Sequence, residues 1–174
     1  MSYNKSYPKE FIAGTSNAKD QALAQYSSIA VMVVALSVNY ERLNELREME
    51  EEARCNGDNL YPEEAGELTE LEAAAGNCKD ADEARDRIQE DALDVQVRGD
   101  WHTVGADMGV SEFYILLCTG GPAVRIMGEL DEDGYPCRAW IEYQDWGTPW
   151  TMLDSMHIDH SVLLEYCNQF WFGE

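Results

Sequence analysis

Apolar residues recur three and four apart along the first half of the chain and in alternation along the second, which predicts helices first and strands afterwards. The first helix is expected to open at Ser16 or Asn17, both suitable N-caps, and to run to about Arg54, ahead of Asn56-Gly57. Along it Ile29, Met32, Leu36, Leu43 and Leu46 form a stripe, with Asn39 in the same seam. Such a stripe either packs into a core or forms a short coiled-coil seam over 29–46, in which a polar Asn fixes the register of a homodimer. Pro62 opens a second helix and Gly76 ends it, with Leu68, Leu71 and Ala75 on one face and Glu63, Glu67 and Glu70 on the opposite one. Asp80 followed by Glu83 is a capping-box pattern for a third helix, whose Ala84 and Ile88 face inward.

The strands follow. Residues 94–98 alternate, and Gly99-Asp100 turns the chain. Residues 112–119 and 123–130 flank Gly120-Gly121-Pro122, a hairpin signal, and residues 131–134 form another turn before a strand over 137–144. Residues 161–170 fit a closing helix or a final strand equally well. The expectation is an α+β fold in which N-terminal helices, one of them long, pack with a small antiparallel sheet of three to four strands. One domain over 1–174 is expected, with an acidic helical part at 17–92 and a β-rich part at 93–174.

Charge changes this picture. The chain carries 34 Asp and Glu against 12 Lys and Arg, a net charge of −22 on 174 residues, while 45% hydrophobic residues are too many for a disordered acidic chain. Residues 1–40 carry a net charge of +1, residues 41–94 −13 and residues 95–174 −10. Twenty-two charges match about 37 Å of duplex DNA, and a compact body of this length is about 40 Å across. The densest acidic segment is also the helical one. Asp82, Asp86 and Glu90 repeat at helical spacing, about 6 Å apart along an axis. Two such rows give a charge roughly every 3 Å, near the phosphate rise of one DNA strand. Glu48, Glu50, Glu51 and Glu52 fall at a helix C-terminus, where the macrodipole disfavours acids. Acidic outer faces that merely keep a helix solvated are the alternative and the commoner case, though acids placed against the macrodipole, offset in part by Arg47 and Arg54, fit it less well.

Other chemistry is thin. No basic patch is present for direct nucleic-acid binding, and no phosphate loop or nucleophile elbow occurs. Cys55, Cys78, Cys118, Cys137 and Cys167 form no CxxC pair and read as scattered reduced thiols. His157, Asp159 and His160, with Asp154, make the one metal-like group, and a polar surface loop accounts for it equally; no metal or other cofactor is expected. The N-terminal MSYNKSYPKEF lacks a signal-peptide pattern, and the one apolar run, residues 29–36, is too short for a span, so a soluble cytoplasmic protein is expected. Trp140, Trp146 and Trp150, with Tyr143, read as core packing or, if exposed, as an anchor for a partner.

The strings CTGGPAVRIMGELDEDG, EYQDWGTPWT and QFWFGE resemble small acidic proteins of bacteriophages and prophages, which implies a mobile-element origin. In size and charge the chain is similar to the acidic antirestriction and anti-CRISPR proteins that imitate DNA. That resemblance implies a non-enzymatic inhibitor acting in the host cytoplasm, which presents carboxylates to the DNA channel of a nuclease or CRISPR complex. The expected contact groups are Glu48, Glu50, Glu51, Glu52, Glu63, Glu67, Glu70, Asp82, Asp86 and Glu90. The alternative is an accessory protein that binds a protein or small molecule through its β-rich half, in a pocket lined by Trp140, Trp146, Trp150 or His157.

Overall fold

Alternation and helical spacing resolve into an α+β fold in a computed structural model that describes residues 11–99, 101, 103–104, 109–154, 156 and 158–173, with side chains from residue 17 onward. Among these, five helices and five strands follow in the order α1 (Phe11–Leu36), α2 (Tyr40–Asn56), α3 (Pro62–Ala75), α4 (Ala81–Asp91), β1 (Asp94–Arg98), β2 (Glu112–Cys118), β3 (Ala123–Leu130), β4 (Pro136–Gln144), β5 (Thr151–Met152) and α5 (His160–Cys167). The chain divides into two compact units, one from Ala30 to Glu90 and the other from the residues on either side of it.

The helix expected over 17–54 is two helices. The amides of Ser37 and Val38 reach back only three residues, to Val34 and Ala35, which tightens and ends α1. Asn39 then caps α2, its side chain accepting from the Arg42 N–H at 3.0 Å. The buried Tyr40 hydroxyl donates to the Ala35 carbonyl at 2.9 Å, which fixes the break. Asn39 is therefore a cap, not a seam residue. Ile29, Met32, Leu43 and Leu46 are all buried within the chain itself, so the 29–46 stripe is not a continuous seam for a second copy. The helical unit closes on Leu43, Leu46, Leu68, Ala75, Cys78 and Ala84. Pro62, Gly76 and the Asp80–Glu83 cap stand where their residue types direct them, the Glu83 N–H donating to Asp80 Oδ1 at 2.8 Å.

The five strands form one antiparallel meander in sequence order, one or two more strands than the periodicity predicts. β2 and β3 alternate strictly: Phe113, Ile115, Leu117, Val124, Ile126 and Leu130 are buried and their neighbours half-buried. α5 packs against β4, and the Phe172 ring lies 4.5 Å from that of Phe113. Residues 160–167 are helix because Asp159 caps them, its carboxylate accepting from the Ser161 N–H at 2.9 Å and hydroxyl at 2.6 Å. Those bonds hold Asp159 below the usual carboxylate range. The buried Tyr166 hydroxyl donates to Asp91 at 2.9 Å, and burial, reinforced by that carboxylate, pushes the phenol up.

Gly128 lies opposite Phe113 in the β2–β3 register. A Cβ at this position would fall 2.1 Å from the Phe113 ring and 2.4 Å from the Arg138 carbonyl. The aromatic ring fills the space that the glycine leaves. Gly128→Ala is expected to destabilise the protein by about 1–3 kcal/mol, as overpacking does. Denaturant unfolding checks this: a midpoint equal to wild type would contradict the close approach.

Candidate functional site

Two surfaces carry the chemistry, one in each unit. In the helical unit, residues 30–90 hold 17 carboxylates against six cations. Nine of the ten expected contact residues are exposed on α2, α3 and α4, and their rows follow the helical repeat: Asp82, Asp86 and Glu90 on α4, Glu48 and Glu52 on α2, Glu63 and Glu70 on α3.

The tenth is different. Glu67 is half-buried and held by Arg42 through two bonds, Nε to Oε1 at 3.1 Å and Nη2 to Oε2 at 2.8 Å. It belongs to the α2–α3 contact, as does the Arg47–Glu72 pair at 3.2 Å. Glu51 is paired with Arg54 at 2.5 Å and Asp82 with Arg85 at 2.8 Å. Arg54 also feels the charge of Glu50. Glu48, Glu52, Glu63, Glu70, Asp86 and Glu90 form no ion pair among the described residues. The C-terminus of α2 is closed by Gly57 at φ 79°, whose N–H reaches the carbonyls of Ala53 and Arg54, so its backbone is satisfied despite the acids beside it.

The second surface is the sheet face opposite the buried residues. Strand register lays its side chains in rungs: Gln96, Tyr114, Met127 and Trp140 in one, Asp94, Leu116, Arg125 and Glu142 in the next. Arg125 organises it. Its guanidinium stacks 4.0 Å over the Trp150 ring, with Tyr114 at 5.6 Å, and its Nε and Nη2 donate to Glu142 Oε2 at 2.9 and 2.7 Å. Trp140 Nε1 donates to the other Glu142 oxygen at 3.1 Å. Burial raises the Tyr114 phenol, with the Asp94 charge adding and Arg125 opposing. Beside this cluster lies a cleft of about 430 Å³ lined by Gln96, Arg98, Glu112, Tyr114, Arg125, Met127 and Trp150, among others. Trp146, 76% exposed, is no core residue: its Nε1 donates to the Gly120 carbonyl at 3.0 Å and its ring covers Gly121. It lines a second cleft of about 310 Å³.

His157 lies outside the described residues. Of its neighbours, Asp159 is committed to capping α5, His160 Nδ1 lies 3.3 Å from the Ala139 carbonyl, and Asp154 accepts from the Met156 N–H at 3.1 Å. No group of His, Cys, Asp and Glu able to hold a metal occurs among the described residues. All five cysteines are free, and burial raises the Cys118 and Cys167 thiols. Residue types alone did not single out Arg125, Glu142 and Tyr114. The available signal was their position in the half-buried, polar alternation of three strands, and only the register brings them together. Compared with known proteins, the chain matches no family model, no curated protein and no solved structure. Among the described residues no single helix is long and apolar enough to cross a membrane.

The hydrogen bonds from Arg42 hold Glu67 below the usual carboxylate range. A carboxyl depressed on folding stabilises the native state above its unfolded pKa and loses that effect as pH falls through the folded value. Glu67→Gln is therefore expected to lower the melting temperature at neutral pH, with the gap to wild type closing below about pH 4. A gap that persists into acid would mean the pair is not what the mutation removes.

Proposed function

We propose that the protein is a non-enzymatic inhibitor whose helical unit imitates the phosphate array of DNA and occupies the basic nucleic-acid channel of a host defence nuclease or CRISPR complex. The observation that carries this reading is the set Glu48, Glu52, Glu63, Glu70, Asp86 and Glu90: exposed, without ion pairs among the described residues, and held on helices that fix their spacing. Rigid helices present these charges at little ordering cost, and their summed field steers a cationic partner over long range. The paired residues Glu51, Glu67 and Asp82 are neutralised by Arg54, Arg42 and Arg85 and add little to the long-range field. The phage-like strings agree with a host target but carry no residue roles.

The cleft beside Arg125 favours a second reading, a partner bound on the sheet. Its lining combines an aromatic surface, two guanidinium groups, the Glu112 carboxylate and the Gln96 amide, which suits a planar polar moiety of a protein or small molecule.

One experiment separates them. Tagged protein captures partners from nuclease-treated bacterial lysate at low and moderate salt, and duplex DNA is added as competitor. Neutralising Glu48, Glu52, Asp86 and Glu90 together to their amides is expected to weaken capture roughly tenfold at low salt and to flatten its salt dependence. Trp150→Ala should leave that capture intact. The reverse result, loss with Trp150→Ala and none with the amides, sinks charge imitation and favours the sheet.

A further inference from the structure

β1 is an edge strand of unusual openness. All five of its residues are exposed, and nothing among the described residues pairs with its outer edge. Natural edge strands are blunted by charged side chains, lysine above all, by proline, by bulges or by shortness, and β1 carries one charge of each sign, Asp94 and Arg98. The opposite edge, β5, is only two residues long, whereas β1 holds five residues without proline, lysine or any shift of register. Its sequence is Asp94-Val95-Gln96-Val97-Arg98.

That sequence is complementary to itself when reversed. With a twofold axis through Gln96, Asp94 meets Arg98 of the second copy, Val95 meets Val97, and Gln96 meets Gln96. The side chains match by face as well, since Asp94, Gln96 and Arg98 share one face of the sheet and Val95 and Val97 the other. Antiparallel residue pairs are either hydrogen-bonded or not, in alternation, so an axis through a residue suits whichever set of β1 backbone groups points outward. Leu93, 60% exposed, extends the apolar row beside Val95 and Val97, which are 38% and 42% exposed.

We propose that two copies of this chain pair through β1, antiparallel and centred on Gln96, to make one continuous ten-stranded sheet. The contact is isologous, so each dimer contains two Asp94–Arg98 pairs and two Val95–Val97 pairs. Asp94 now accepts from its own Gln96 at 2.6 Å along the strand, whereas Arg98 pairs across the ladder with its own Glu112 on β2, so on pairing the Arg98 guanidinium lies between Glu112 and the second copy's Asp94. Gln96 and Arg98 also line the cleft beside Arg125, and the dimer brings the two clefts beside the axis. Like charge on the two bodies opposes association at low salt, so pairing strengthens as added salt screens that repulsion. This inference stands apart from the imitation of DNA, which concerns another surface.

The test is sedimentation velocity at moderate salt on wild type, Asp94→Lys, Arg98→Asp and an equimolar mixture of the two variants. Wild type is expected to approach twice the chain mass with rising concentration. Each single variant sets like charges opposite each other twice and should raise the dimer dissociation constant roughly tenfold or more. The mixture restores opposite charges at every contact and should dimerise as wild type does. Circular dichroism confirms that each variant is folded. Should either fail to fold, amide exchange on wild type decides, because outward-facing β1 amides must gain protection as concentration rises. Wild type that stays monomeric, variants that dimerise unchanged, a folded mixture that stays monomeric, or β1 amides indifferent to concentration would each overturn the pairing.

Discussion

Cations are the scarce component of this protein, and where they are placed decides both what holds together and what is left over. Twelve Lys and Arg face 34 acids, so a compact state exists only if those few cations stand where repulsion is worst. They do so along the helical unit. Arg42 and Arg47 join α2 to α3 through Glu67 and Glu72, while Arg54, Lys79 and Arg85 each neutralise an acid one turn away. Surface pairs of this kind contribute little singly. Their importance is positional: they remove repulsion at the helix contact and leave it on the outward faces. Free carboxylates on the outside are then the expected residue of a stable inside.

The sheet uses its cations differently. Arg125 is largely withdrawn from water, with 23% of its side chain exposed, and is satisfied on its flat faces by Trp150 and on its edge by Glu142. A guanidinium so surrounded is a preorganised part rather than a mobile charge. Two rungs away, Arg98–Glu112 beside Glu129–Arg138 again sets opposite charges across neighbouring strands at each end, with Glu112 and Glu129 facing each other in the middle. Both ends of that rung lie on exposed side chains, so it shields less and yields more easily to a new partner.

Much of the fold was legible where a residue type has one use. Pro62, Gly76, the Asp80–Glu83 cap and the Gly120-Gly121-Pro122 turn each mark a boundary by their own chemistry, and the strict alternation of 112–130 needs no tertiary information. The break at 37–39 was not legible. Ser37, Val38 and Asn39 include neither Gly nor Pro, and the apolar period from Ile29 to Leu46 runs through them in phase. Only the buried Tyr40–Ala35 bond and the Asn39 cap select a turn over another helical turn. β5 is too short to leave a pattern, and Gly128 shows its purpose only once Phe113 stands opposite it. The acidic rows were visible from spacing, but which members are neutralised depends on helix pairing, and so Glu67 looked like its neighbours.

Excess charge and an open strand edge are usually separate problems, yet here each limits the other. An unprotected edge invites indefinite addition of strands. A twofold contact consumes the edge on both copies at once, so growth stops at two. The chain's net negative charge works in the same direction, because every further copy meets a larger repulsive field than the one before. A palindromic pattern of charge, with Asp94 and Arg98 at equal distance from Gln96, narrows the choice again: a shift by two residues leaves at least one charge unpaired, and a parallel arrangement sets like beside like. An edge that permits one register, one direction and one partner needs neither proline nor bulge to be safe. The absence of proline, lysine and bulge on β1 fits a sequence whose two charges, Asp94 and Arg98, are complementary rather than alike.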